Sequence, residues 1–179
     1  ALLAGMGELH LEITVYRLEE EQNIKVKVSP PIVVYRESVE GNNRGRSFEG
    51  KSPNRHNRFM MECEPLSPEV VAALRDGHFG NGNVRSGDAK EVGNKFGELG
   101  MDKDKMRKIF AIYGTNVLVN DTKGIQGLHE TRELIIESFN EVCKKGPVAD
   151  EPVMGMMVRL VDAKLHEDAI HRGPAQTIP

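Results

Sequence analysis

Apolar residues recur at helical spacing near the start of the chain. The run Gly5–Glu12 leads into a predicted amphipathic helix that carries Leu11, Val15 and Leu18 on one stripe and ends near Gln22-Asn23. Residues 24–28 then alternate apolar side chains with lysine, as a half-buried strand does, and Ser29-Pro30-Pro31 ends that run. Because one helix and one strand cannot bury a core alone, we expect residues 1–30 to belong to a larger domain that ends at the prolines. The apolar helix face should either pack on the rest of the chain or drive self-association.

Short apolar runs separated by turn residues follow the prolines. The strand-like runs are Val33–Val39, Arg46–Glu49, Arg58–Glu64 and Asn116–Val119. Ser67 as N-cap, Pro68 at the first helical position and Gly77 beyond the end predict a short helix. Helical spacing indicates two further helices, one around Val92–Leu99 and one around Met106–Tyr113.

The strongest periodic signals lie in the last third of the chain. Residues 125–145 predict the longest helix, which Gly146-Pro147 ends. Residues 153–163 are apolar on both faces, a pattern typical of a central strand covered on both sides. Cys143 falls in the stripe of the long helix and Cys63 in a strand, so we expect two buried thiols rather than reactive ones.

Composition and charge narrow the class of protein. The chain has 179 residues, 39% hydrophobic and 28% charged, as in a soluble globular protein. Its net charge of −3 argues against a surface that coats nucleic acid throughout, but leaves a local RNA-contacting patch open. No apolar run approaches the roughly 20 residues that span a bilayer, no signal peptide opens the chain, and two cysteines fit a reducing compartment. We expect a cytoplasmic protein without membrane contact and, because both termini interrupt a pattern, a fragment.

His166, Glu167 and His171 raise the question of a metal site. In zinc proteases two histidines lie four residues apart on one helical face, with a glutamate between them. At about 100° per residue, the spacing here sets the histidines roughly 140° apart, and Arg172-Gly173-Pro174 ends any helix. A zinc site on one helix is excluded. A loop that bends both histidines together remains open, as in a metal-dependent hydrolase, and so does an ordinary solvated loop.

Two further loops carry candidate chemistry. Residues 77–87 are rich in Gly, Asn and Ser, but no Gly-Lys-Ser/Thr follows, which argues against a phosphate-binding loop. Residues 51–58, Lys-Ser-Pro-Asn-Arg-His-Asn-Arg, are basic, rich in amides and free of acid. That composition suits contact with RNA phosphates and base edges, and the alternative is a solvated turn.

Four blocks of sequence resemble the translocation GTPases of protein synthesis. Gly5-Met-Gly-Glu-Leu-His-Leu-Glu12 is similar to a run in their third domain, and Tyr35-Arg36-Glu37 to the start of their fourth. Residues 51–58 resemble a tip loop of that fourth domain. Asp168-Ala-Ile-His-Arg-Gly-Pro-Ala-Gln176 resembles the diphthamide loop of the elongation factor 2 family, in a form typical of archaea. The likeness covers most of the chain, although Gly127 stands where a larger side chain is expected.

The resemblance implies an α+β fold in two parts. Residues 1–30 would end an incomplete ferredoxin-like domain III, and residues 31–179 would form a domain IV built on a split β-α-β sheet with helices packed on it. Tip loops near residues 51–58 and 165–176 would project from domain IV. His171 would be converted to diphthamide, which makes the diphthamide biosynthesis enzymes, and afterwards ADP-ribosylating toxins, partners of this loop.

The resemblance also implies a function as the ribosome-contacting arm of a GTP-dependent translocation factor. Domain IV would enter the decoding site of the small subunit and hold the tRNA–mRNA duplex in frame. We expect no enzymatic activity, cofactor or metal in this part, since GTP and magnesium belong to an absent G domain. The residues expected to contact tRNA, mRNA or rRNA are Ser52, Pro53, Asn54, Arg55, His56, Asn57, Arg58, His166, Asp168, His171, Arg172, Gly173 and Gln176. A paralogous ribosome-associated GTPase and a plain RNA-binding module remain alternatives.

Overall fold

The chain divides into two units. The computed structural model describes residues 1–41, 45–167 and 178, and the units are Ala1–Val34 and Tyr35–Pro179. Among the described residues, no helix combines the length and the apolar character needed to cross a bilayer.

The first unit contains one regular element, helix α1 (Glu8–Glu20). Leu11 and Leu18 are half-buried on its predicted stripe, but none of its residues is fully buried. Residues 24–28 form no strand, so that prediction is wrong. A strand needs a neighbour to satisfy its backbone hydrogen bonds, and no segment of residues 1–34, all of which the structure describes, pairs with it.

The described residues of the second unit form a six-stranded sheet with helices on both faces, which confirms the predicted α+β class. The strand order is β1-β2-β6-β5-β4-β3, and every neighbouring pair is antiparallel except β5 and β6. Helix α5 joins these two parallel strands as a β-α-β unit. The strands are β1 (Phe48–Lys51), β2 (Arg58–Pro65), β3 (Gly82–Asn83), β4 (Ile109–Tyr113), β5 (Asn116–Asn120) and β6 (Met156–Lys164). The helices are α2 (Pro68–Arg75), α3 (Ala89–Glu98), α4 (Lys103–Met106) and α5 (Leu128–Lys144).

Two apolar clusters lie on opposite faces of this sheet. On one face α5 covers a cluster that includes the buried residues Leu160 and Met156 of β6. On the other face α2, α3 and α4 cover a cluster that includes Met157. The alternation of β6 between the clusters confirms that it is a central strand covered on both sides. Ile178 is buried in the cluster under α5, so the chain beyond β6 returns to this core.

Several predicted elements differ from the structure. Residues 109–113, predicted as part of a helix, form β4, because they pair with β3 and β5 across the sheet. The run 33–39 is no strand, and only Glu37 forms an isolated bridge with Val153. The short run predicted at 46–49 is replaced by β1, two residues further on. The loop 77–87 contributes β3 to the edge of the sheet.

Gly127 has a backbone reason to be glycine. Its φ of 75° lies in the left-handed region, and it is the N-cap residue of α5. A side chain at this position would strain the backbone, because only glycine adopts this conformation without steric cost. Helix α5 therefore begins at Leu128, three residues after the predicted start at 125.

Glu37, the acid of the Tyr-Arg-Glu block, anchors the loop that follows α5. Its carboxylate accepts backbone N–H groups of Ala149 at 2.8 Å, Val148 at 3.2 Å and Glu151 at 3.3 Å. These bonds, that from Ala149 foremost, lower the pKa of Glu37. A Cβ added to Gly146 would collide with the same carboxylate, so glycine at position 146 leaves the space that the Glu37 side chain occupies.

The prediction of two buried thiols is confirmed for Cys143, whereas Cys63 is half-buried. Cys143 is buried in the cluster under α5, and Cys63 on β2 is half-buried against it. Burial raises the pKa of Cys63 to about 11 and that of Cys143 to about 12. Thiols with such pKa values carry little thiolate at neutral pH and are poor nucleophiles.

Candidate nucleic-acid interface

The loop between β1 and β2 is closed by its own side chains. The N–H of Ser52 donates to the carbonyl of Asn57 at 3.0 Å, and the N–H of Asn57 donates to Ser52 Oγ at 3.1 Å. Asn54 Oδ1 accepts the Ser52 hydroxyl at 2.6 Å and the N–H of His56 at 3.1 Å. Polar side chains that bond to nearby backbone favour tight turns over extended chain. The loop is thus pre-formed by residues of its own sequence.

The closed loop displays some of the predicted contact residues and buries others. Pro53, Arg55 and His56 are exposed at its apex, and Arg55 has a left-handed φ of 60°. Ser52 and Asn57 are 1% and 0% exposed. Their RNA contact stays a prediction, and what the structure shows for them is a role in shaping the loop.

Sheet pairing brings an acid beside the basic loop, which composition alone did not reveal. Glu49 on β1 lies 3.3 Å from Lys51 Nζ and 3.3 Å from the guanidinium of Arg58. Such exposed pairs contribute little free energy, so either cation can exchange its partner for a phosphate. Among the described residues, Arg55 pairs with no carboxylate. It is the cation of this loop that is most available to an anionic ligand.

The end of β6 meets the β1–β2 loop. Arg58 and Lys164 are register partners in the antiparallel pair, so the start of β2 and the end of β6 lie at one end of the sheet. The backbone N–H of His166 donates to Asn57 Oδ1 at 3.0 Å. The rings of His56 and His166 are 5.1 Å apart between centroids and inclined at 65°, an edge-to-face contact. The structure thus brings together two of the regions that the sequence predicts as tip loops.

Only part of the second predicted tip loop lies in the described chain. His166 and Glu167 are described and exposed. The other predicted contact residues of this loop lie outside the described residues: Asp168, His171, Arg172, Gly173 and Gln176. Their roles, including modification of His171, stay predictions.

The metal alternative receives no support from the described residues. Within residues 1–41, 45–167 and 178, no group of three or more His, Cys, Asp or Glu side chains is placed to hold a metal ion. His166 and Glu167 are adjacent, but the third residue of that hypothesis, His171, lies outside the described residues.

A cluster of charges on the sheet was not predicted. Arg159 of β6 contacts Glu62 on β2, lies 3.2 Å from Glu64 and 3.3 Å from Asp121 just beyond β5. Arg159 and Glu62 are register partners on adjacent strands. The signals available in the sequence were a single arginine inside an apolar strand and two glutamates two residues apart, which share one face of a strand. Without the strand order, the arginine and the glutamates could not be predicted to lie together.

Comparison with known proteins assigns the fold to a family. Residues 82–179 match the family described as elongation factor G, domain IV, and residues 1–30 match elongation factor G, domain III. The first match covers more than half of the chain. The chain therefore belongs to the elongation factor G domain IV family.

Elongation factors of several archaea are similar to almost the whole chain. Elongation factor 2 of Picrophilus torridus is 54% identical over 99% of this chain, that of Thermoplasma volcanium 52% over 99%, and that of Pyrococcus furiosus 49% over 99%. The chain spans 24% of the length of each of these curated relatives. The resemblance to the archaeal elongation factor 2 family is thus confirmed over 99% of the chain.

Proposed function

We propose that this chain is the ribosome-contacting arm of a translation elongation factor that promotes GTP-dependent translocation of tRNA and mRNA. In this proposal the loops near residues 51–58 and 165–176 enter the decoding site of the small subunit and hold the tRNA–mRNA duplex in frame. GTP and magnesium bind elsewhere in the whole factor, and the factor works in the cytoplasm. Family membership supports the coarse assignment, and the joined loops at one end of the sheet support the choice of the working end.

The observation that carries the proposal is the display of Arg55 and His56 on a pre-formed loop beside His166. A-form RNA exposes phosphates, 2′-hydroxyls and base edges across a shallow groove. An arginine without a carboxylate partner suits a phosphate, and imidazole rings can both stack and donate hydrogen bonds. Because the loop is closed by Ser52 and Asn54, little conformational entropy is lost when it binds.

We further propose that His171 is the residue that the diphthamide biosynthesis enzymes modify. The proposal rests on the similarity of residues 168–176 to the diphthamide loop of the family, and it makes the modified loop a substrate of ADP-ribosylating toxins. A long cationic extension on His171 would reach a codon–anticodon duplex through its shallow groove.

Peptide mass spectrometry on the intact factor from its native host tests the modification. Trypsin should release Leu165–Arg172, a peptide that contains both His166 and His171. Fragmentation should locate the added mass on His171 and leave His166 unmodified. An unmodified peptide would overturn the diphthamide assignment while leaving the family assignment untouched.

The salt dependence of binding tests the RNA-contacting end. Each phosphate contact that a substitution removes should lower the slope of log affinity against log salt by roughly one. For binding of the 179-residue chain to small ribosomal subunits, Arg55→Ala should therefore lower this slope by about one. Arg85 is a matched control, since it is exposed and follows β3 at the opposite edge of the sheet. Equal slopes for Arg55→Ala and the unchanged chain would contradict the proposed working end.

A further inference from the structure

Asn57 belongs to the loop between β1 and β2 and contacts the start of the second loop, which follows β6. It precedes β2 by one residue, and its side chain is fully buried although its neighbours His56 and Arg58 are exposed. Its backbone closes the first loop through Ser52, while its side-chain oxygen accepts the N–H of His166 at 3.0 Å. One residue thus holds both loops.

The side-chain bond continues the sheet where the backbone ladder stops. The last register pair between β2 and β6 is Arg58 with Lys164. Past that pair, the Asn57 side chain accepts the backbone N–H of His166, two residues beyond Lys164. This additional hydrogen bond fixes the position of His166 relative to the β1–β2 loop, because a hydrogen bond is directional and apolar burial is not.

We propose that Asn57 is a positioning residue that makes the two loops one recognition surface, and that it does so without contacting RNA itself. The inference rests on the proposed function for what the surface recognises. The bond to His166 sets the spacing at which the rings of His56 and His166 meet, 5.1 Å between centroids. Without it, Arg55 and His56 on one loop and His166 on the other would bind RNA as independent groups.

Amide hydrogen exchange on the 179-residue chain tests the positioning role without any ribosome. Asn57→Ala should speed exchange of the His166 amide by about tenfold or more, because its acceptor is lost. Asn57→Asp keeps an acceptor at the same place and should restore much of the protection. Ser52→Ala is the matched control, since Ser52 is as buried and closes the same loop but does not bond to His166. Equal acceleration in Ser52→Ala and Asn57→Ala would overturn the inference.

Coupling between the loops supplies the functional readout. In the intact factor, Arg55→Ala and His166→Ala should weaken ribosome binding non-additively, with a deviation of about threefold or more from the product of the single effects. In an Asn57→Ala background the same two substitutions should become additive. A purely structural asparagine would lower the melting temperature and leave the coupling unchanged, which would refute the positioning role.

The two arms separate the failure of this inference from that of the proposed function. If the factor bound no ribosomes, the function would fail, yet faster His166 exchange in Asn57→Ala would still show the bond between the loops. If binding were normal and the coupling persisted in Asn57→Ala, the function would stand and the positioning role would fall. Should Asn57→Ala not fold, Asn57→Leu keeps the branched side-chain shape of asparagine, lacks the acceptor and provides the same comparison.

Discussion

Replacing Arg159 by methionine should destabilise the second unit by about 3–5 kcal/mol at pH 7, as removal of one partner from a buried ion cluster does. Methionine keeps most of the aliphatic stem, so packing changes little and the loss is mainly electrostatic. The substitution removes the cation that Glu62, Glu64 and Asp121 share, while Asp121 keeps Lys108 at 3.4 Å.

The expected loss of stability is large because the charged groups of this cluster are mostly shielded from water. The side chain of Arg159 is 10% exposed, and those of Glu62, Glu64 and Asp121 are 12%, 11% and 20% exposed. At an effective dielectric constant of about 20, one pair of unit charges about 4 Å apart attracts by roughly 4 kcal/mol, but desolvation offsets much of the sum over three pairs. Removing only the cation forfeits the attraction and keeps the cost of burying the carboxylates.

Urea unfolding followed by circular dichroism measures the effect. Arg58→Met is the matched control, because Arg58 lies on the adjacent strand and pairs with Glu49 at an exposed site. Its cost should stay below about 1 kcal/mol. Adding Glu62→Gln to Arg159→Met should recover part of the loss, because one of the buried carboxylates is then replaced by a neutral amide. An Arg159→Met variant as stable as Arg58→Met would refute the reasoning.

Three further predictions concern single residues of the second unit. Glu37→Gln should lower stability at pH 7, and because the pKa of Glu37 is lowered on folding, the gap in urea titrations should persist above pH 4.5 and close as the pH falls through the lowered value. Gly127→Ala should cost about 1–2 kcal/mol in thermal unfolding through its positive φ, whereas Gly80→Ala, with open space and no positive φ, should cost far less. Cys63 and Cys143 should react with a disulfide reagent at pH 8 at least about 100-fold more slowly in the folded chain than in urea, because burial raises the pKa of Cys63 to about 11 and that of Cys143 to about 12. Equal rates in the folded and unfolded chain would contradict this reasoning.

Elements whose signal lies in their own residues were predictable. Helix α2 has its cap, Pro68 at the first turn and Gly77 beyond its end, all local features. Helix α5 carries an apolar stripe at helical spacing, and β6 is a run of apolar residues on both faces, as in a central strand. The error at residues 109–113 has a physical cause, because apolar residues three or four apart fit a helix and a doubly covered strand equally well. The strand wins here through its partner β5, which follows after a turn at Gly114.

The candidate site was predictable in composition but not in arrangement. Residues 51–58 attract attention because basic and amide side chains cluster there without an acid. Glu49 precedes Lys51 by two residues on one strand, but its contact with Arg58 depends on the β1–β2 register, and the contact of Asn57 with His166 depends on the neighbouring end of β6. Both facts follow from strand order. Because the sequence alone does not show which strands pair, neither contact could be predicted from it.

Three sets of polar contacts each hold one segment of the second unit against another. Their positions suit a domain that acts through the placement of the loops at one end of its sheet. Asn57 ties the two loops at one end, Arg159 joins β2, β6 and the residue after β5 in the middle, and Glu37 anchors the loop after α5. They connect residues 109, 97 and 112 positions apart in sequence. Apolar burial stabilises such a sheet without fixing where one loop lies relative to another, whereas directional bonds between distant segments do fix it. If the proposed function holds, loosening any of the three should impair positioning before it impairs folding, with Asn57 the most direct because it lies at the working end.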